Sequence, residues 1–187
     1  HEVYYYLNLV DEVIGSLEGH ADAQSEPPDI SIAVSPARRD DARKLIETLG
    51  GDPGLPIVAL GCGSTNSRAK RWPAERFASL ASQILDRNAA NLVLLGSEDE
   101  SDVAENVHSI SGRNLINAAG KTSLEDAVAL LAVASVFVSN DMGLAHISAA
   151  VGTPTLVIFG PTNPQTTRPF SDVAEVIRVQ VECSPCM

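Results

Sequence analysis

The sequence predicts an α/β fold built on a doubly wound parallel sheet, and three observations support this. Short apolar runs of four to seven residues recur along the chain, which is typical of strands buried on both faces. Segments with helical spacing lie between most of these runs. Polar, glycine-containing turns follow several of them. Strands that alternate with helices of about ten to fifteen residues indicate βαβ units.

The predicted strands define a single domain over residues 30–187, preceded by a helix and a polar linker over residues 1–29. Seven apolar runs are strand candidates, and the first of them opens the domain. In chain order they are residues 30–34, 57–60, 91–95, 115–118, 133–138, 155–159 and 173–179.

The predicted helices are defined by apolar spacing and by their first residues. Residues 3–18 carry apolar side chains at helical spacing. Pro73 suits the first turn of a helix over 74–87. Capping-box spacing in residues 97–100 and 122–125 opens two more helices. Two further helices are predicted over residues 40–49 and 144–151. In chain order the predicted helices are residues 3–18, 40–49, 74–87, 97–110, 122–132 and 144–151.

Composition excludes several classes of function. The chain has 187 residues, of which 24 are acidic and 13 are lysine or arginine, giving a formal net charge of −11. It has no long basic run, so we expect no nucleic-acid partner. No apolar stretch approaches the ~20 residues that cross a bilayer. Cys183 and Cys186 form a CxxC pair that could be half of a metal site or a redox pair, although reduced thiols in a cytosolic protein are the favoured interpretation.

The turns at one edge of the predicted sheet contain the polar clusters of interest. Ligands of such sheets bind beyond the carboxyl ends of the strands. The turn over residues 61–73 holds two glycines, several hydroxyl side chains and Lys70. It lacks the order of a P-loop. Two interpretations remain open for it: a phosphate-binding turn, or a surface loop with a solvated lysine.

Four further residues at this edge each allow two interpretations. Asp141 is either a helix N-cap or an acceptor for sugar hydroxyls. His146 is either a phosphate partner or a core histidine, and the core role is favoured. Glu100 is either the third residue of a capping box or a ribose ligand. Thr122 is either an N-cap or a neighbour of a base.

Taken together, the motifs resemble glycosyltransferase family 9, the ADP-heptose:lipopolysaccharide heptosyltransferases, and most closely their heptosyltransferase II branch. Met142 departs from the family pattern, which has threonine or serine before the glycine, and Cys62 stands where proline is common. Four segments carry the resemblance in order: residues 63–73 (GSTNSRAKRWP), 94–100 (LLGSEDE), 120–124 (GKTSL) and 139–146 (SNDMGLAH).

The resemblance implies a GT-B architecture in which this chain is the C-terminal, donor-binding half and the N-terminal acceptor domain is absent. It implies that Lys70 and the backbone of Gly143 and Leu144 contact the donor phosphates. His146 would lie nearby. The remaining implied roles are Asp141 for heptose hydroxyls, Glu100 for ribose, Thr122 for adenine, and Thr65 with Asn66 for the phosphate turn.

The implied chemistry is inverting, metal-independent transfer of heptose from ADP-heptose to the lipopolysaccharide inner core, with no cofactor. Lys70 would stabilise the leaving phosphate. The expected location is the cytoplasm, with peripheral association at the inner membrane as a further expectation. We expect the isolated chain to bind donor without turnover. Two alternatives stay open: a nucleotide-sugar enzyme of the same half-fold, such as an epimerase or another glycosyltransferase, and a non-catalytic nucleotide-binding module.

Overall fold

A six-stranded parallel sheet forms the centre of the computed structural model, which describes residues 1–18, 27–65 and 67–186. The strands lie in the order β3-β2-β1-β4-β5-β6, and every neighbouring pair is parallel. This is the strand order of a Rossmann-like sheet, as predicted. The strands are β1 (Ile57–Gly61), β2 (Asn91–Leu94), β3 (Ile116–Asn117), β4 (Val136–Asn140), β5 (Thr155–Ile158) and β6 (Ala174–Ile177).

The helices cover both faces of this sheet. Helices α3 and α4 pack together on one face, and α2 packs with α5 on the other. A seventh, one-turn helix, α7, was not predicted. The helices are α1 (Glu2–Glu18), α2 (Pro36–Thr48), α3 (Ala74–Arg87), α4 (Ser101–Ser111), α5 (Leu124–Val133), α6 (Gly143–Ala150) and α7 (Pro164–Thr167).

Alternate side chains of the central strand β1 pack into two separate hydrophobic cores. Ile57 and Ala59 belong to the core beneath α2, α5 and α6. Val58 and Leu60 belong to the core beneath α3 and α4. All five residues of β1 are buried. Successive side chains of a strand point to opposite faces, so a strand covered on both sides must be apolar throughout. Burial on both faces explains the continuous apolar runs in the sequence.

The prediction of a strand over residues 30–34 is wrong. The segment is not paired with a strand, and its one backbone bond to the rest of the fold runs from the Ile32 N–H to the Ala150 carbonyl, 2.8 Å away. The segment lies beside the end of α6, where no described strand is close enough to pair with it through backbone hydrogen bonds. Ile30 and Ile32 are 38% and 41% exposed, and in this apolar run Val34 is the residue that packs against the core.

Several predicted boundaries moved. Helix α2 begins at Pro36 and not at residue 40, because the Ser35 side chain caps it by accepting the Arg38 N–H. The helix after Gly120 begins with Ser123, not Thr122, as its N-cap: the Ser123 hydroxyl accepts the Asp126 N–H at 3.1 Å, and the Asp126 carboxylate accepts from the Ser123 hydroxyl at 2.8 Å. The capping box is therefore shifted by one residue. The strand predicted over 133–138 begins at Val136 because α5 continues through Val133.

The N-terminal helix is confirmed, although much of its apolar surface is uncovered. Tyr5, Tyr6, Val10 and Val13 are each more than half exposed, whereas Tyr4 packs edge-on against Phe170 with ring centroids 5.6 Å apart. Most of the linker predicted to follow the helix lies outside the described residues. Within the described ranges, no helix combines the length and apolar character needed to cross a bilayer.

Candidate ligand-binding site

A cavity of about 470 Å³ opens at the carboxyl edge of the sheet, between the ends of β1 and β4. The strand order reverses direction at this point, which is where open α/β sheets bind ligands. The turns after β1, β2 and β4 all contribute to its walls. Seven residues predicted for the site line it: Thr65, Lys70, Glu100, Asp141, Gly143, Leu144 and His146.

Two predicted site residues are not placed in this cavity. Thr122 does not line it, whereas Leu124 and Ala127 from the first turns of α5 do. Asn66 lies outside the described residues. Leu124 is 63% exposed, which is unusual for a leucine beside a polar site. The sequence shows an apolar residue directly after the capping Ser123. The helical spacing of apolar residues, however, did not mark Leu124 as a site residue.

The turn after β1 is held in place by a buried amide that the sequence analysis missed. Asn140 is fully buried, and its side-chain NH₂ donates to the carbonyls of Cys62 at 2.8 Å and Gly63 at 3.1 Å. Its amide oxygen accepts the Trp72 N–H at 2.8 Å. Arg71 adds a bond from its guanidinium to the Ser64 carbonyl at 3.0 Å. The two ends of the turn are thus tied to the end of β4.

Glu100 lies between the turns after β1 and β2. Its side chain is only 3% exposed. One carboxylate oxygen accepts the backbone N–H of Ser97 at 2.9 Å and the Ser97 hydroxyl at 3.1 Å, which confirms the reciprocal arm of the capping box. The other accepts the Thr65 hydroxyl at 3.3 Å. A carboxylate has about four acceptor positions, so Glu100 keeps capacity to bind a ligand.

The same carboxylate affects the nearby thiol of Cys62. Burial, and secondarily the charge of Glu100, raise the pKa of Cys62 to about 12. The thiol is therefore protonated at neutral pH and is not a nucleophile. Cys183 and Cys186 are exposed, and the Cys186 thiol donates to the Cys183 carbonyl at 2.8 Å. Among the described residues, no group of three or more histidine, cysteine or acidic side chains has metal-binding geometry.

Lys70 and Asp141 form an ion pair at the floor of the cavity. The lysine Nζ lies 2.7 Å from Oδ2 of Asp141, and the Thr162 hydroxyl donates to the same oxygen, also at 2.7 Å. Asp141 is 5% exposed, and the Lys70 side chain is 24% exposed. The N-cap interpretation of Asp141 is wrong, because Met142 occupies that position. Thr162, in the turn after β5, was not predicted.

The N-terminus of α6 faces the cavity without a side-chain cap. Met142 is the N-cap residue and makes no capping bond. The Ala145 N–H bonds to the Met142 carbonyl at 3.0 Å, while within the described chain the N–H groups of Gly143 and Leu144 have no protein acceptor. Both residues line the cavity. Free N–H groups and the positive end of a helix dipole favour an anion at this position.

His146 follows one turn later on α6, and the favoured prediction of a core histidine is wrong. The residue is exposed and lines the cavity. Its pKa is lowered, first because surrounding protein atoms desolvate the imidazolium and also because of the Lys70 charge; Asp141 and Glu2 act in the opposite direction. The imidazole is therefore mostly neutral at pH 7.

The lowered pKa of His146 predicts a specific dependence of stability on pH. Below about pH 6.5 an unfolded histidine takes up a proton that the folded state resists. The folded state therefore loses stability as pH falls through this window. We expect wild type to lose stability relative to His146→Gln between about pH 7 and pH 5, measured by urea unfolding. Parallel pH profiles for the two proteins would contradict this assignment.

Comparison with known proteins agrees with this fold and identifies the family. The chain matches the glycosyltransferase family 9 (heptosyltransferase) profile over residues 1–187, and it belongs to that family. It is 37% identical over 153 residues to lipooligosaccharide heptosyltransferase 2 of Haemophilus influenzae, covering 79% of this chain and 44% of the relative. The resemblance to the heptosyltransferase II branch is thereby confirmed.

Solved structures show the same correspondence. The E. coli ADP-heptose lipopolysaccharide heptosyltransferase II superposes with a TM-score of 0.77 at 28% identity, over 87% of this chain and 49% of that one. The E. coli heptosyltransferase WaaC, solved with ADP, gives 0.62 at 25% identity, over 90% and 48%. The present chain thus spans less than half the length of each of these three proteins.

Proposed function

We propose that this chain is the donor-binding part of a heptosyltransferase that takes ADP-heptose as its donor and the lipopolysaccharide inner core as its acceptor. The observation that carries the proposal is the convergence of Lys70 and the uncapped N-terminus of α6 on one cavity at the switch point of the sheet. An ammonium and free backbone N–H groups together suit a diphosphate. The choice of sugar nucleotide is supported by the relatives, since the family is that of the heptosyltransferases and the similar E. coli enzyme is an ADP-heptose heptosyltransferase.

The proposed placement of the donor follows the walls of the cavity. The diphosphate lies against Lys70 and the N–H groups of Gly143 and Leu144. The heptose lies towards Asp141 and the ribose towards Glu100. The nucleobase lies against the apolar wall that contains Leu124, because a flat ring favours an apolar surface over a hydroxyl. Thr65, whose hydroxyl bonds to Glu100, lines the phosphate side.

The proposed reaction is inversion at the anomeric carbon of heptose without a metal ion. An acceptor hydroxyl attacks that carbon and loses its proton, while the bond from the carbon to the β-phosphate oxygen breaks and ADP leaves. Lys70 and the α6 amides stabilise the negative charge that develops on this oxygen, which is typically the largest electrostatic contribution. The acceptor pocket and the general base would come from a second α/β domain of the longer protein.

Titration of the 187-residue chain with ADP, UDP and GDP by calorimetry tests this proposal. We expect ADP to bind with the highest affinity of the three. A preference for UDP would point to a nucleotide-sugar enzyme with a different donor. If none of the nucleotides binds, the cavity is not a donor site in this chain and the proposal fails.

A further inference from the structure

The turn after β5 lies beside both partners of the Lys70–Asp141 ion pair. Within this turn, the Thr162 hydroxyl donates to the Asp141 carboxylate at 2.7 Å. Its Gly160 lies close to the short 3-10 turn that carries Lys70, because a Cβ added at Gly160 would lie only 3.4 Å from the Ala69 carbonyl oxygen. The position of the turn after β5 therefore affects where the ammonium and the carboxylate lie.

The C-terminal segment, residues 178–186, holds this turn in place through two hydrogen bonds. The Ser184 hydroxyl donates to the Gly160 carbonyl at 2.7 Å. The Cys186 N–H donates to the Pro161 carbonyl at 2.8 Å. These two carbonyls belong to consecutive residues, directly before the threonine that bonds to the ion pair. Because both are bonded to the same segment, this part of the turn has little freedom to shift.

Ser184 is itself held by Arg178, which directly follows β6. The Arg178 guanidinium donates to the Ser184 hydroxyl at 2.7 Å. Among the described residues, no carboxylate lies within ion-pair distance of Arg178, and its Nε is buried without an acceptor. The serine hydroxyl accepts one bond and donates the other, and bonds linked in this way polarise and strengthen one another. A chain of bonds thus connects the end of β6 to the Gly160 carbonyl.

Resting on the proposed function, we propose that Ser184, held by Arg178, is a positioning residue for the donor site, and that it acts by fixing the turn after β5 beside Lys70. Neither Ser184 nor Arg178 lines the cavity, so neither contacts a ligand inside it. A ligand binds more tightly to a group that is already in place, because ordering that group on binding costs free energy. Loss of the serine hydroxyl frees the turn and leaves the Lys70 ammonium less well placed for a diphosphate.

The test is calorimetric titration of ADP into the 187-residue chain carrying Ser184→Ala. We expect ADP to bind about 3- to 10-fold more weakly, which is the range that one net hydrogen bond contributes. Ser184→Thr keeps the hydroxyl and should restore the affinity to within about twofold of wild type. Arg178→Met removes the donor to Ser184 while keeping a long side chain, and it should weaken ADP binding in the same direction.

A mutant cycle and a matched control separate positioning from a merely structural role. If Ser184 acts through Lys70, Ser184→Ala should change ADP affinity by less than about twofold in the Lys70→Ala background. The control is Ser111→Ala. The Ser111 hydroxyl also accepts one bond and donates to a backbone carbonyl, that of His108 at 2.8 Å, but Ser111 lies at the end of α4 and does not line the cavity. Its replacement should leave ADP affinity unchanged.

The outcomes distinguish this proposal from the proposed function. If Ser184→Ala or Arg178→Met binds ADP as tightly as wild type does, the cavity remains a nucleotide site and only this proposal is overturned. The same holds if Ser184→Ala weakens ADP binding by an equal factor with and without Lys70, since the serine would then not act through the lysine. If wild type binds no ADP, the proposed function fails, and this proposal fails with it.

Discussion

Replacing Lys70 with alanine is expected to weaken ADP binding by about 10- to 100-fold. A hydrogen bond between charged groups contributes about 1.5–3 kcal/mol, which corresponds to that range. The loss should lie towards the upper end, because the variant leaves Glu2, Glu100 and Asp141 lining the cavity without a compensating ammonium. Calorimetric titration with ADP, alongside thermal unfolding to confirm the fold, measures this directly.

Arg68→Ala is the matched control for Lys70→Ala. Both residues belong to the same short 3-10 turn, yet Arg68 is exposed and does not line the cavity. Its replacement should change ADP affinity by less than about twofold, as expected for an exposed, solvent-screened charge. In the double variant Lys70→Ala/Asp141→Asn, part of the lost affinity should return, because removing the unpaired carboxylate relieves repulsion. Equal effects of the Lys70 and Arg68 variants would exclude Lys70 from the phosphate site.

Much of the fold followed from local patterns. Helix α3 has the predicted bounds, Ala74–Arg87, because Pro73 fixes its start and apolar spacing defines its length. Strands β1 and β2 were found because burial on both faces demands continuous apolar runs. Once parallel strands were established, their carboxyl ends had to share one edge. The shared edge of parallel strands therefore predicts that Lys70 and Asp141 lie close together, without knowledge of any contact between them.

The contacts within the site could not be predicted in the same way. The bond of Thr162 to Asp141 depends on β5 lying beside β4, and local patterns do not specify strand order. Asp141 had the local features of an N-cap, but its tertiary partner Lys70 binds it instead. The role of Asn140 was hidden for a related reason. A buried asparagine satisfies whichever backbone groups the fold brings to it, and here those belong to the turn after β1.

Replacing Gly63 with alanine is expected to cost about 3 kcal/mol of unfolding free energy and to weaken ADP binding. A Cβ at this position would overlap the carboxyl group of Glu100. That group cannot move freely, since Ser97 holds one of its oxygens and Thr65 bonds to the other. Overpacking a filled interior typically costs about 1–3 kcal/mol, and displacing a buried, hydrogen-bonded carboxylate adds to it. Urea unfolding and ADP titration measure the two effects.

A mutant cycle with Glu100→Ala isolates the cause of this cost. If the clash with Glu100 is responsible, Gly63→Ala should cost less than about 1 kcal/mol in the Glu100→Ala background, because the obstructing group is gone. Gly15→Ala in α1, where a Cβ meets nothing within 4 Å, is the control for adding a methyl group, and it should be neutral or slightly stabilising. An undiminished cost in the Glu100→Ala background would mean that Gly63 is required by the backbone of its turn, and the close approach of Glu100 would then have no part in the effect.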